Sequence, residues 1–124
     1  MGIFVVPIAV SDDSGSRFES VEAMVDTGAS YTWIPRPTLE ALGHTPEDDR
    51  EFELANGRRI SYGVKSIRVR IDSKSTPTWV VFGEPGTDPL LGAVTLQEMG
   101  LGVDTLNERL IPVPGRLGGP RRVC

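Results

Sequence analysis

The sequence predicts a mostly β fold with one or two short helices, and three observations support that prediction. Its apolar runs are short and rich in β-branched residues, as in residues 3–10 (IFVVPIAV) and residues 78–82 (TWVVF). Fourteen glycines and ten prolines in 124 residues separate these runs. The pair Asn56-Gly57 lies between two further runs and is the strongest short-range signal of a β-hairpin.

The first third of the chain predicts a hairpin followed by a helix. Residues 3–10 and 17–26 are predicted to be its strands, and the polar segment SDDSGS between them has the residues of a tight turn. Residues 37–42 predict a brief helix, because Pro37 suits a first helical turn and Gly43 can close the end. The polar segment HTPEDD that follows predicts a surface loop.

The rest of the chain predicts two more hairpins and a second short helix. The segment EFELANGRRISYG predicts a long hairpin with a type I′ turn, which needs positive φ at both Asn56 and Gly57. SIRVRID alternates apolar and polar residues, as a half-buried strand does. AVTLQEMG predicts a short helix, and LGVDTLNERLIPV predicts a final hairpin. We predict one domain over residues 1–113 and a flexible tail over residues 114–124.

Composition and charge exclude several classes of function. Thirteen basic and seventeen acidic residues give a net charge of −4, which offers no general attraction to nucleic acid or anionic lipid. No run approaches the length of a membrane span, and Pro7 interrupts an opening segment without basic residues, so we expect no membrane segment and no signal peptide. The single cysteine, Cys124, excludes an intrachain disulfide, and we expect a cytoplasmic protein.

The segment AMVDTGAS, residues 23–30, places the Asp26 carboxylate where an apolar strand breaks into a tight turn. A carboxylate removed from water is costly unless it is paired, hydrogen-bonded or neutralised by a shifted pKa. Either the strand ends in solvent, or Asp26 is placed for chemistry.

Three segments in order resemble the retropepsin-like aspartic proteases: VDTGASYTWIP, ELANGRRI and DPLLGAVTLQEMGLGVD. More narrowly, they look like the small prokaryotic single-domain members, over residues 3–113. The resemblance implies a closed antiparallel β-barrel and a homodimeric aspartic endopeptidase that hydrolyses peptide or protein substrates. Water would be activated between two Asp26 carboxylates, one from each protomer, with no metal and no cofactor.

The resemblance also implies roles for the residues after Asp26. Thr27 would hydrogen-bond across the dimer axis, and Gly28 would let the substrate backbone pass close. Ala29 and Ser30 match the usual continuation of this active-site loop.

Two further segments take supporting roles by the same resemblance. The active-site loop would be backed by Leu90, Leu91 and Gly92. The hairpin tip matches the flap that closes over a peptide and excludes water. This flap tip consists of Ala55, Asn56, Gly57 and Arg58, so it departs from the glycine-rich tip of the viral enzymes.

Two alternatives stay open beside the homodimeric protease. Asp13-Ser14-Gly15 is a permitted variant of the catalytic triplet, but it lies inside the polar turn of the first hairpin and has no Leu-Leu-Gly segment of its own, so it is interpreted as a turn. The chain could instead be a catalytically silent member of the same fold that serves as a dimerisation or peptide-binding module.

Other conspicuous residues are given structural interpretations. His44 follows a predicted helix end and is interpreted as a cap or surface residue, and the acidic run at residues 47–49 as a solvated loop. Trp33 and Trp79 are predicted to be core residues. A serine hydrolase centred on Ser30 is improbable because the chain has only one histidine.

Overall fold

The computed structural model describes residues 4–115, and within this range the chain is mostly β with two short helices. In chain order the elements are β1 (Val5–Ser11), β2 (Phe18–Val25), β3 (Thr32–Pro35), α1 (Arg36–Ala41), β4 (Asp48–Glu53), β5 (Arg59–Ile71), β6 (Lys74–Gly83), β7 (Leu90–Leu91), α2 (Ala93–Glu98), β8 (Leu101–Asp104) and β9 (Arg109–Pro112). The predicted mostly β class is therefore confirmed, and both predicted helices are present.

Seven strands form one sheet in the order β1-β2-β7-β3-β6-β5-β4, and β8 and β9 form a second, two-stranded sheet. The large sheet is mixed, because β2 runs parallel to β7 and β3 runs parallel to β6. The remaining pairings in this sheet are antiparallel, so the antiparallel prediction is corrected only at these two pairs. Long connections bring β6 and β7 back in the same direction as β3 and β2. A short additional pairing joins β1 to β5. The closed barrel stays a prediction.

The acidic run at residues 47–49 is not wholly a loop. Asp48 and Asp49 begin β4, where they pair with Val64 and Gly63 of β5. Strand β4 is the last strand in the order of the sheet, and only Phe52 within it is half-buried. Because the other five residues of β4 are exposed, the strand shows no apolar alternation, and its first two residues were predicted as loop.

The turn between β4 and β5 has a different geometry from the one predicted. Positive φ occurs at Gly57 but not at Asn56, which excludes a type I′ turn. Instead the Gly57 N–H donates to the Leu54 carbonyl at 2.9 Å, and the Leu54 N–H donates to the Arg58 carbonyl at 2.7 Å. This is the pattern of a three-residue hairpin loop that ends in a left-handed glycine. The hairpin itself is confirmed, as are those joining β1 to β2 and β8 to β9.

The core is formed by the large sheet together with both helices, which contribute Leu39 and Leu96. Its largest fully buried apolar side chains come from six elements: Ile8, Val10, Ile34, Leu39, Val69, Val80 and Leu91. Trp79 is not among them, because strand alternation places it on the opposite face of β6 from Val80, and 38% of its surface is exposed. Trp33 is half-buried. The prediction that both tryptophans are core residues is therefore wrong.

His44 is buried rather than exposed, which corrects its interpretation as a surface residue. Its backbone N–H does cap α1, donating to the Leu39 carbonyl at 3.0 Å, while Gly43 turns the chain with a φ of 85°. That turn directs the imidazole inward, where Nε2 lies 2.7 Å from the Ser11 carbonyl oxygen. A hydrogen bond to a carbonyl 33 residues away compensates the burial of Nε2, whereas the buried Nδ1 has no hydrogen-bond partner among the described residues.

The ends of the chain lie largely outside the described residues. Pro114 and Gly115 are exposed, and the remainder of the predicted tail, residues 116–124, is not among the residues that the structure describes. The domain boundary at residue 113 stays a prediction. Neither α1 nor α2 approaches the length of a membrane-spanning helix, and the described range holds no group of His, Cys, Asp and Glu side chains that could bind a metal ion.

Candidate active site

Asp26 lies where β2 ends, at the start of the active-site loop of residues 26–30. The backbone N–H of Asp26 donates to the Leu91 carbonyl at 3.1 Å, which ties the end of β2 to β7. Its carboxylate oxygen Oδ1 accepts the Gly28 N–H at 2.9 Å, and its carbonyl accepts the Ala29 N–H at 3.1 Å. The carboxylate of the half-buried Asp26 is therefore held by its own loop at the end of β2.

The first turn of α2 holds the other side of this loop. The Ala93 N–H donates to the Ala29 carbonyl at 2.8 Å, and the Val94 N–H donates to the Ser30 carbonyl at 2.9 Å. The first N–H groups of a helix have no partner within the helix, so these bonds satisfy the helix and the loop together. Leu91, from the segment predicted to back the loop, is fully buried and its carbonyl accepts the Asp26 N–H. The supporting role of the Leu-Leu-Gly segment stays a prediction.

Gly92 allows the loop and α2 to come this close. A Cβ atom at Gly92 would lie 2.5 Å from the Tyr31 carbonyl carbon and 2.9 Å from the Ser30 carbonyl oxygen. Both are backbone atoms, which cannot rotate aside as a side chain can. A glycine is therefore required at this contact.

A cleft of about 380 Å³ lies between the active-site loop and the β4–β5 hairpin. It is lined by Gly28, Ala29, Ser30, Tyr31, Trp33, Phe52, Glu53, Leu54, Tyr62, Val81 and Leu90. The structure thus brings three of the five predicted loop residues, with Leu90, to one cleft. The predicted flap residues 55–58 are exposed at the tip, and the hairpin contributes Phe52, Glu53 and Leu54 in their place.

One wall of the cleft is an aromatic cluster that the sequence analysis did not identify. Trp33 meets Tyr62 edge to face with ring centroids 4.9 Å apart, and Tyr31 meets Phe52 in the same way at 5.9 Å. Phe52 and Tyr62 join the two pairs at 6.2 Å. The alternation of Tyr31 and Trp33 directly after the active-site loop was the available signal, since residues two apart in a strand share a face.

Trp33 is fixed in this wall from two sides. Its Nε1–H donates to Thr87 Oγ1 at 2.9 Å, and the Thr87 hydroxyl donates to the Glu84 carbonyl at 2.6 Å. Gly83 lies against the indole so closely that a Cβ there would be 2.3 Å from ring atoms. Burial and the Glu84 carboxylate raise the pKa of Tyr62, so its phenol stays protonated at neutral pH. The Trp33 indole is therefore held between Thr87 and Gly83.

The Asp13-Ser14-Gly15 triplet is a turn, as predicted. The Gly15 N–H donates to the Asp12 carbonyl at 3.0 Å within the β1–β2 connection. Asp13 forms an ion pair with Lys65 at 2.7 Å, which holds the pKa of Asp13 below its usual value. The triplet precedes β2 and Asp26 follows it, so the eight-residue strand separates them by roughly 25 Å. Within one chain the two aspartates do not form a pair.

A family model described as "gag-polyprotein putative aspartyl protease" matches residues 17–98. The match covers more than half of the chain and includes the active-site loop, the β4–β5 hairpin and Gly92. The chain belongs to this aspartyl protease family.

Among solved structures, this member of the family resembles the solution structure of the simian foamy virus (mac) protease. The two chains are 18% identical with a TM-score of 0.51, over 73% of this chain and 91% of the viral one. At this identity the similarity establishes a common fold. No curated protein matches the chain. The predicted retropepsin-like aspartic protease is thus confirmed at the level of family and fold, and the narrower prokaryotic type finds no support.

Proposed function

We propose that the chain is a homodimeric aspartic endopeptidase that cleaves extended peptides in the cleft beside Asp26. The observation that carries this proposal is the active-site loop itself. Its carbonyls are held by α2 and its first N–H by β7, so that Asp26 occupies a fixed position next to an apolar cleft. A carboxylate held in place beside a substrate-sized cleft is suited to general acid–base chemistry.

The homodimer supplies the second carboxylate. Within one chain, the only other Asp-x-Gly triplet lies at the far end of β2. A two-fold axis beside the loop would place Asp26 of each protomer opposite its counterpart, since such an interface brings equal residues together. Thr27 is exposed in the single chain and would form the proposed hydrogen bond across that axis.

Two carboxylates in contact share one proton, because ionising both would place like charges side by side. The ionised Asp26 would accept a proton from a bound water, whose oxygen attacks the peptide carbonyl carbon. The protonated Asp26 of the other subunit would donate its proton to the carbonyl oxygen. The Asp26 that took the water proton would then donate it to the leaving nitrogen while the other Asp26 accepts a hydroxyl proton from the tetrahedral intermediate. The C–N bond breaks, a carboxylic acid and an amine are released, and one proton is again shared by the pair.

The substrate would lie between the loop and the hairpin with an apolar side chain against the aromatic wall. Gly28 lines the cleft without a side chain, which leaves room for a peptide backbone. The exposed hairpin tip at residues 55–58 would close over the peptide as a flap. The second candidate function is a silent peptide-binding module whose flap does not close fully over the peptide. The flap tip supports this alternative, because Gly57 is its only glycine, whereas the viral tip is glycine-rich.

Activity that depends on protein concentration tests the shared site. With a library of extended peptides between acid and mildly alkaline pH, we expect specific activity to rise with concentration and to level off as the dimer forms. Sedimentation of the same samples gives the dimer fraction. Constant specific activity from a monomer would contradict the shared site. A confirmed dimer that cleaves nothing would favour the peptide-binding module.

A further inference from the structure

Three threonine hydroxyls form a buried chain behind the active-site loop. Thr32 of β3, Thr95 of α2 and Thr78 of β6 are each at least 98% buried. The Thr32 and Thr95 oxygens are 2.6 Å apart, and the Thr95 and Thr78 oxygens are 2.9 Å apart. At one end the Gly92 N–H donates to Thr32 Oγ1 at 3.1 Å, and at the other the Thr78 hydroxyl donates to Glu98 Oε1 at 2.6 Å.

The groups at the two ends, Glu98 and the Gly92 N–H, fix the direction of donation along the Thr32–Thr95–Thr78 hydrogen bonds. A hydroxyl has one proton to donate, and an ionised carboxylate only accepts. Because Thr78 donates to Glu98, it must accept from Thr95, and Thr95 must in turn accept from Thr32. Thr32 then has its own lone pairs free for the Gly92 N–H. Every proton in the chain therefore has an acceptor.

Without the Glu98 carboxylate, nothing fixes the direction of the hydrogen bonds between the three threonines. If Thr78 donated to Thr95 instead, and Thr95 to Thr32, then Thr32 would accept both that proton and the Gly92 N–H. The Thr32 proton would have no partner in this chain, at a position with no exposed surface. A buried donor without a partner is costly, so the contact to Gly92 would loosen.

We propose that Glu98 is a positioning residue for catalysis: as the acceptor at the end of the Thr32–Thr95–Thr78 chain, it holds Gly92 and the active-site loop in place. The proposal rests on the proposed protease function. Glu98 is itself exposed and does not line the cleft, so it would act through the Thr32–Thr95–Thr78 hydrogen bonds. Gly92 adjoins Leu91 and Ala93, whose backbones bind both ends of the loop, so its displacement would move Asp26.

The test compares Glu98→Ala with Glu98→Gln, whose side-chain oxygen can still accept the Thr78 proton. Amide hydrogen exchange at Gly92 reports on the loop, and kcat and KM for a cleaved peptide report on catalysis. In Glu98→Ala we expect Gly92 to exchange about tenfold faster and kcat to fall about tenfold with KM unchanged, as for one lost buried hydrogen bond. Glu98→Gln is expected to retain wild-type values in both measurements.

Gln97→Ala is the matched control, because Gln97 is an exposed residue of the same helix. It should leave Gly92 exchange and kcat unchanged. Wild-type Gly92 exchange in Glu98→Ala, unaltered kcat despite faster exchange, or failure of Glu98→Gln to restore both would each overturn the proposal. Exchange is measured without substrate, so it reports on the loop whether or not the protein cleaves peptides. An inactive wild-type protein would refute the protease function, and the exchange rates would still show whether Glu98 holds the loop.

Discussion

We expect Asp26→Asn to abolish peptide cleavage and to leave the proposed dimer intact. In that dimer the substitution would remove both carboxylates, so neither subunit would retain a base for water or an acid for the carbonyl oxygen. General acid–base groups contribute about 10²–10⁴-fold to rate, and we expect a loss at the upper end of that range. Asparagine has the same shape, and its side-chain oxygen can still accept the Gly28 N–H that Asp26 now accepts.

Two measurements make this prediction decisive. Peptide products are quantified for wild type and Asp26→Asn prepared in parallel, and sedimentation at the same concentration compares their assembly. Asp13→Asn is the matched control, since Asp13 lies in an exposed turn and should be dispensable for catalysis. If Asp26→Asn still cleaves, the proposed mechanism is refuted.

Gly92→Ala is expected to have the largest effect on stability among single-methyl additions in the described residues. The added Cβ would meet the Tyr31 carbonyl carbon and oxygen at 2.5 and 2.6 Å, so β7 and the active-site loop must separate. Forcing an extra methyl group into a packed site costs about 1–3 kcal/mol, and rigid backbone on the other side places this case at the upper end. The same separation would break the backbone hydrogen bonds from Ala93 and Val94 to the active-site loop.

Urea denaturation at a fixed protein concentration measures this loss, because the stability of a dimer depends on concentration. Gly115→Ala serves as the control, since a Cβ at Gly115 meets nothing within 4 Å. It should leave the unfolding midpoint unchanged. An equal midpoint for Gly92→Ala and wild type would show that the loop and α2 are not packed as described.

The sequence was sufficient to predict features that depend on neighbouring residues. The end of β2 at Asp26 and the hairpin around Gly57 are local, because an apolar run or a turn residue specifies each directly. The backing of the loop by Leu91 was predicted through the family resemblance. Its physical basis, a hydrogen bond to the Asp26 N–H, joins residues far apart in the chain.

The features missed from sequence depend on contacts between distant residues or on solvent exposure. The polar chain joins Thr32 and Thr95 across 63 positions, and no periodicity marks a threonine as buried. Trp79 is apolar yet exposed, and His44 is polar yet buried, because the register of β6 and the turn at Gly43 decide their orientation. Composition alone predicts a buried Trp79 and an exposed His44.

The most direct test of the shared site mixes wild type with Asp26→Asn. Let equal amounts exchange subunits at a concentration where both are dimeric, and measure cleavage against the same amount of wild type alone. If each site needs Asp26 from both protomers, mixed dimers are inactive, and random exchange leaves about half of the wild-type activity. Activity that stays at the wild-type level after exchange has been verified would show that one Asp26 suffices, and would contradict the account.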